Sequence, residues 1–462
     1  MKKQKQLKKI KQSGLQRRIA ISLAGAKGGV RLLGSHLSSV LMPEQKKQAV
    51  RLQSLANEAE IFTHQLGELK GAYVKIGQMM ALYGDHFLPK QVSEALHCLE
   101  HKTSSMAWTA IEPFIEAELG DRMSDLSIDQ KPIAAASLSQ VHRAQLNQDG
   151  RELVMKVQYP GVANTIDSDF NAVLQMMKLA LWAKTGREFE SWTQEIRSML
   201  VDEVDYHRER LMTERVAELL GSDPRYVLPK IDKRYSSERI LTMDYLRGVE
   251  VSHPLVAKLS LRRRNALAKA MLEVFFKEVF EWGIMQTDPN FGNYRVQFAD
   301  KQEKETIDKL VLLDFGAVRE LDPSFLQALQ KTIIASYQNN RVGVMQGATL
   351  LNCISESQSL RVRESFADFC ILLMEPFREH QQQTPGLELN DKNQYKWHDS
   401  QLLKRAGKLG ANSIGIDGFT SPPKEFALIA RKLTGVFTFV TTLRAEFNAA
   451  YIIEQYIGRE NL

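Results

Sequence analysis

Asp288, Asn293 and Asp314 are the residues whose types and spacing carry the most chemistry in this sequence. Asp288 and Asn293 lie five positions apart in QTDPNFGN (286–293), and Asp314 opens the DFG of LLDFG (312–316). Enzymes that transfer phosphoryl groups from ATP use a loop Asp followed five positions on by an Asn, with the Asp of a DFG about twenty residues further. The reason is electrostatic. ATP phosphates bring several negative charges, and Mg²⁺ needs hard oxygen ligands to hold it against them. Asn293 and Asp314 are expected to supply those oxygens. Asp288 is expected to orient an attacking hydroxyl or water and accept its proton. A DFG alone is a weak signal; the D-x4-N at the right distance, between a helix and a strand, makes the pair specific.

Upstream, Lys156 stands in VMKV, flanked by Val154, Met155 and Val157. A strand lysine usually points to solvent, but a phosphate-binding role explains a cation within such an apolar run. The partner acid chosen for it is Glu209, four residues from Asp205 in EVDYHRERLMTE, so that both acids share one helix face. Ala134, Ala135, Ala136 and Ser137 occupy the place of a glycine-rich phosphate loop. Alanine allows close backbone approach but loses glycine's access to positive φ, so this loop should be stiffer. Lys75 and Gln78 in KIGQ fall with Gly71 on one helical stripe. Gly71 and Gly77 inside a helix would each cost about 1 kcal/mol relative to Ala, which suggests close approach to something. Tight helix packing and a solvated lysine are the plainer readings of that motif.

These residues need elements to position them. Apolar spacing predicts a long helix over Val50–Tyr83, ended by Pro89, and a second over about Trp108–Leu119. A β-rich section follows Pro132, with a turn at Asn147–Gly150 and a strand over Leu153–Tyr159. Helical patterns then cover Ala163–Lys184 and Trp192–Leu220. RILTMDYL (239–246) reads as a strand with a hinge at Gly248. A helix at Leu261–Trp282, a strand near Tyr294–Phe298, a polar excursion and the strand Leu310–Leu313 come next. From Pro323 onward the chain reads as mostly helical, with a loop at His380–Asp399. Strands first and helices later suggest two lobes with a cleft between them.

The chain has 462 residues, 44% hydrophobic and 25% charged, which describes a folded protein of more than one packed unit. Cys98, Cys353 and Cys370 lie in unrelated contexts, which argues against a disulfide framework or zinc site and for buried, reduced thiols. The net charge of +6 is uneven, because no Asp or Glu precedes Glu44 while Lys2, Lys3, Lys5, Lys8, Lys9 and Lys11 all do. Such a segment reads as a solvated or frayed terminus, as a peripheral contact with anionic lipid or, against its lysine richness, as an organellar transit peptide. The apolar stretch Leu433–Leu443, bounded by Arg431, Lys432 and Arg444, is far short of the roughly 20 residues a bilayer core requires.

In combination, KxGQ at 75–78, the alanine loop at 134–137, Lys156, Glu203-x-Asp205, DPNxxN at 288–293 and DFG at 314–316 resemble the UbiB-like, aarF-domain atypical kinases. The resemblance runs from about Leu52 to Arg319 and continues more weakly through 421–437. The QTDPN wording is similar to the coenzyme-Q-linked branch. The resemblance implies an α+β, protein-kinase-like two-lobed fold with an N-terminal helical extension over the cleft. Its divisions would be a basic segment (1–49), the helical extension with KxGQ (50–127), an N-lobe (128–247) and a C-lobe (248–462). It also implies that Lys156 pairs with Glu209 and that Lys75 is tied to Glu203 or Asp205, which would set Lys75 and Gln78 where a peptide substrate would lie.

By the same resemblance, ATP and Mg²⁺ are the cofactors, and turnover is ATPase or small-molecule phosphotransferase activity supporting ubiquinone synthesis. A nucleotide-dependent regulator with little turnover is the alternative. Expected partners are a quinone precursor or lipid-like molecule, quinone-synthesis enzymes and a membrane surface, with no nucleic acid. The expected setting is the cytoplasm with contact at the inner membrane, or the mitochondrion in a eukaryote. The chain departs from the family at Leu138 and Ser139, where IG is usual. It departs from peptide kinases at Thr287 and Asn290, where they carry Arg and Lys, and no APE follows the DFG.

Overall fold

The computed structural model describes residues 44–69, 71–84, 87–101, 105–179, 186–288, 290–299, 307–378, 387–414 and 423–457. The basic segment at 1–43, Pro289, the centre of the polar excursion at 300–306 and positions 379–386 and 421–422 lie outside the described residues. Two compact units emerge. The first runs to Leu211 and adds Lys230–Tyr245; the second holds Met212–Pro229 and everything from Leu246.

The first unit opens with α1 (Glu44–Leu69), α2 (Ala72–Tyr83), α3 (Lys90–His97) and α4 (Trp108–Leu119). The single helix expected over Val50–Tyr83 is therefore two. Gly71 takes φ +60°, and a right-handed helix cannot pass through a left-handed residue. Gly71 thus lies outside α2, and only Lys75 and Gln78 of the expected stripe share that helix. Gly77 does mark a close approach. A Cβ there would lie 2.3 Å from Leu99 Cδ1 and 3.2 Å from Leu66 Cδ1, so α2 is pressed onto its neighbours.

Next come β1 (Leu126–Ile128), β2 (Ala134–Ala135), β3 (Ser139–Leu146) and β4 (Glu152–Gln158), then α5 (Val162–Leu179), α6 (Arg187–Glu203) and α7 (Tyr206–Leu220). The strand β5 (Tyr226–Val227) belongs to the second unit, and β6 (Ile240–Asp244) returns to the first. A five-stranded antiparallel sheet runs β1-β3-β4-β6, with β2 added on β3. Period-two alternation dictates which side chains of β4 face the core: Leu153, Met155 and Val157 are buried, Val154 and Lys156 half-buried. The helix expected over Trp192–Leu220 is broken between α6 and α7.

The second unit contains α8 (Pro254–Ala257) and α9 (Leu261–Lys277), whose end widens into a π turn at Glu278–Trp282, closed by Gly283 at φ +65°. Then come β7 (Ile284–Gln286), β8 (Tyr294–Gln297), β9 (Lys309–Leu312) and β10 (Val318–Glu320). β9 pairs in parallel with β5 and antiparallel with β8, while β7 pairs antiparallel with β10. The remainder is helical as expected: α10 (Pro323–Tyr337), α11 (Arg341–Leu350), α12 (Leu360–Leu373), α13 (Leu402–Ile414), α14 (Lys424–Thr442) and α15 (Ala450–Ile457).

Gly248, read as a hinge, lies just inside the second unit, which resumes at Leu246. A Cβ there would meet Arg295 Cβ at 3.0 Å and Val296 O at 3.2 Å, and the next residue, Val249, exchanges backbone hydrogen bonds with Val296. The unit's core is aromatic, with Phe275, Phe276, Trp397, Phe437, Phe439 and Phe447 all buried. Leu433–Leu443 supplies part of it, and among the described residues no helix is long and apolar enough to cross a membrane. Cys353 and Cys370 are buried free thiols, and burial pushes the Cys370 thiol up to about 12. Cys98 is exposed, against the expectation of three buried thiols.

Candidate active site

The sequence-predicted residues fall into one group in each unit. In the first, β4 lies between β3 and β6, with Lys156 opposite Val141 and Leu241. Its Nζ donates to both carboxylate oxygens of Glu209 at 2.8 Å and lies 5.3 Å from the centre of the Tyr206 ring. The Glu209 side chain is only 3% exposed, against 19% for Lys156. A carboxylate so deeply buried needs a cationic partner, and Lys156 supplies it. The pairing follows from Glu209 standing in the first turn of α7.

Asp205 does not share a helical face with Glu209, because it precedes α7. Its Oδ1 accepts from the Arg208 backbone N–H at 2.9 Å, so the acid caps the helix that carries Glu209. Lys75 donates to Glu203 Oε1 at 2.6 Å, tying α2 to the last residue of α6. Gln78 instead donates to the Leu99 carbonyl at 3.1 Å and fastens the turn after α3.

The alanine loop is clamped from both sides. Ala134 and Ala135 form β2 against β3, the Ala136 N–H donates to Ser139 O at 2.8 Å, and the Tyr159 hydroxyl donates to Ala136 O at 3.2 Å. Ala134 and Ala136 are exposed, while Ser137 is buried. None of the residues from Ala134 to Ser139 has a positive φ, so Ser139 in the family's glycine position meets no backbone strain.

In the second unit, strand register brings distant residues together. β8 pairs with β9 with Tyr294 opposite Leu312, so Asn293 O accepts the Leu313 N–H at 3.0 Å, one residue before Asp314. β7 pairs with β10 with Gln286 opposite Val318, and Thr287 donates from both its N–H and its hydroxyl to Ala317 O. The loop after β7 is thereby tied to the turn after Asp314. Asn293 Nδ2 donates to Asp288 Oδ2 at 2.9 Å, and Asp314 Oδ1 accepts from the Gly316 N–H at 2.9 Å.

Sequence reasoning missed what lies beneath this loop. The Gln286 side chain is a staple: its Nε2 donates to Asp314 O at 3.0 Å and its Oε1 accepts from the Asp288 N–H at 2.6 Å. Arg431, on α14, lies 3.9 Å from Asp288 Oδ1. Lys432, first read as a charge bounding an apolar stretch, is 1% exposed and donates to Glu278 Oε1 and the Tyr294 hydroxyl. Burial alone would lower its ammonium pKa, but the Glu278 carboxylate and Tyr294 hydroxyl more than offset this and hold it raised. The available signal was a basic pair inside an otherwise apolar helical repeat.

Among the described residues no group of three or more His, Cys, Asp or Glu could hold a metal by itself. One carboxylate and one amide oxygen suit Mg²⁺, which keeps few protein ligands and completes its shell with water and substrate phosphates. The donor set at Asn293 and Asp314 therefore fits a metal that arrives with a nucleotide.

A kinase-like chain of atypical design is the class this fold and these residues define. Residues 98–348 match the model of the ABC1 atypical kinase-like domain, and the chain belongs to that family. It is 29% identical over 399 residues to a zebrafish (Danio rerio) protein named atypical kinase COQ8B, mitochondrial, a match covering 86% of this chain and 60% of that one. It is 27% identical over 398 residues to atypical kinase COQ8, mitochondrial, of Saccharomyces cerevisiae, covering 85% of this chain and 75% of the yeast protein. The chain is thus shorter than both relatives. A solved structure of Rv3197 from Mycobacterium tuberculosis, in complex with erythromycin, is similar in fold, with a TM-score of 0.57 at 20% identity over 90% of this chain and 98% of that one.

Proposed function

We propose that the chain binds Mg-ATP and either hydrolyses it or transfers its γ-phosphoryl group to a small or lipid-like acceptor, in support of prenyl-quinone synthesis. The observation that carries this reading is the joining of Asp288, Asn293 and the Asp314 turn by the two strand pairings and the Gln286 staple. Bound Mg-ATP supplies the phosphoryl group and the charge neutralisation around it. Lys156, held by Glu209, takes phosphate oxygens. Asn293 and Asp314 offer their oxygens to the metal. Asp288, oriented by the Asn293 amide, accepts the proton of the attacking hydroxyl or water.

A non-peptide acceptor is supported by how the chain uses its departures from peptide kinases. Thr287, in place of Arg, is buried and bonded to Ala317 O, and the Asn290 side chain, in place of Lys, accepts the Gly292 N–H at 3.0 Å. Both side chains shape the loop. The KxGQ helix with Lys75 and Gln78 is proposed to cap the site. The quinone link rests on the family resemblance and the names of the relatives.

Asp288→Asn is expected to keep Mg-ATP affinity while turnover falls about 10²–10⁴-fold, the usual contribution of a general base. Asp314→Asn should weaken Mg-ATP binding itself. The assay is ATP turnover and nucleotide titration with phenolic quinone precursors and anionic liposomes present. Equal turnover by wild type and Asp288→Asn under those conditions would leave a nucleotide-gated regulator as the correct reading.

A further inference from the structure

Lys432 and Glu278 form an ion pair that is almost inaccessible to water, their side chains 2% and 5% exposed. No step proposed above uses either residue. A buried ion pair is often no more stable than an apolar pair of similar size, so stability alone is a weak account of why two charges sit in an aromatic core. What the pair touches gives a better one. Glu278 Oε1, which faces the Lys432 ammonium at 3.1 Å, also accepts the Gln286 backbone N–H at 3.1 Å. That N–H belongs to the residue whose side chain reaches both the Asp288 N–H and the Asp314 carbonyl. Lys432 also donates to the Tyr294 hydroxyl at 3.2 Å, and Tyr294 directly follows Asn293. One buried cation therefore stands three hydrogen bonds from Asp288 and from Asp314, and one hydrogen bond from the neighbour of Asn293.

We infer that Lys432 and Glu278 are positioning residues, which hold Gln286 so that it fixes the backbone at Asp288 and Asp314 in one register. The inference rests on the reading of Asp288, Asn293 and Asp314 as the Mg-ATP residues. The π turn fits this role. It places Glu278 at the start of a widened turn, eight residues before the N–H that its carboxylate accepts. The donor on the other side comes from α14, more than 130 positions along the chain from Tyr294 and 154 from Glu278. The alignment of the loop thus depends on a helix outside the residues matched by the family model.

The discriminating experiment compares two double variants in the full chain. Lys432→Met with Glu278→Gln removes both charges but keeps a carbonyl oxygen for the Gln286 N–H. Lys432→Met with Glu278→Met removes that acceptor too. Both avoid a lone buried charge, so both are expected to fold, the Met double variant melting somewhat lower because the buried Gln286 N–H loses its acceptor. We expect the Gln double variant to stay within about threefold of wild-type kcat, and the Met double variant to fall about 10- to 100-fold, as for other groups that support metal-site ligands. KM for ATP should change less than kcat in both, because Lys156 and Glu209 are untouched. Hydrogen exchange without nucleotide is the second readout: the amides of Gln286 and Asp288 should exchange at least tenfold faster in the Met double variant alone. Equal kcat and equal exchange in the two would overturn the positioning role and leave a structural one. If wild type shows no turnover, the Mg-ATP reading fails by itself, and the exchange comparison still decides the network.

Discussion

Lys156 and Glu209 show how one residue type constrains another. The carboxylate is nearly inaccessible and the ammonium is partly open, so the two are not equally replaceable. Lys156→Met removes the cation that the buried Glu209 carboxylate faces and is expected to lower unfolding free energy by about 3 kcal/mol. Adding Glu209→Gln should recover most of that stability while nucleotide binding stays lost, because the phosphate-binding cation is still missing. Chemical denaturation and nucleotide titration of the two single variants and the double one check this. Recovery of binding along with stability would show that Lys156 acts only as a counter-ion.

At the scale of elements, the packing of α2 decides more than its charges. Gly77→Ala should raise helix propensity by about 1 kcal/mol, yet its Cβ would run into Leu99 and Leu66, both fully buried. We expect overpacking to win, with a net loss of about 1–2 kcal/mol. Leu99→Ala should then cost less in the Gly77→Ala background than in wild type, a coupling that a double-mutant cycle reads directly. Lys75→Ala should behave differently. Its pair with Glu203 is partly exposed on both sides, at 21% and 32%, so its loss is expected to change stability by no more than about 1 kcal/mol. If α2 caps the site, nucleotide affinity should rise in this variant; unchanged affinity and unchanged turnover together would rule the cap out.

For the whole molecule, the net charge of +6 and the cations before Glu44 bear on where the chain works. Each basic residue near an anionic leaflet contributes about 1 kcal/mol, and that attraction weakens as salt screens it. The full chain is expected to sediment with vesicles carrying anionic lipid at low salt and to be released as salt rises. Replacing Lys2, Lys3, Lys5, Lys8, Lys9 and Lys11 with Gln should abolish sedimentation without changing ATP turnover in solution. Vesicle binding that survives those substitutions would move the membrane contact to another part of the molecule.

What the sequence determined by itself was local or carried by spacing. The helix at Trp108–Leu119, the turn at Asn147–Gly150 with the strand that follows it and the strands beside the DPN and DFG segments follow from residue periodicity and turn chemistry within a few positions. The breaks at Gly71 and before Asp205 were not legible, because apolar spacing continues across them while the backbone reverses hand or recaps. Nor was the choice of Glu203 for Lys75, across 128 positions, which needed the likeness to a family to narrow it to two acids. Lys432 is the clearest case. In sequence it is a charge at the edge of an apolar run; only tertiary packing buries it and sets Glu278 and Tyr294 around it. A hydrogen bond between residues so far apart leaves no periodic trace in either segment, so it is decided only when the core closes.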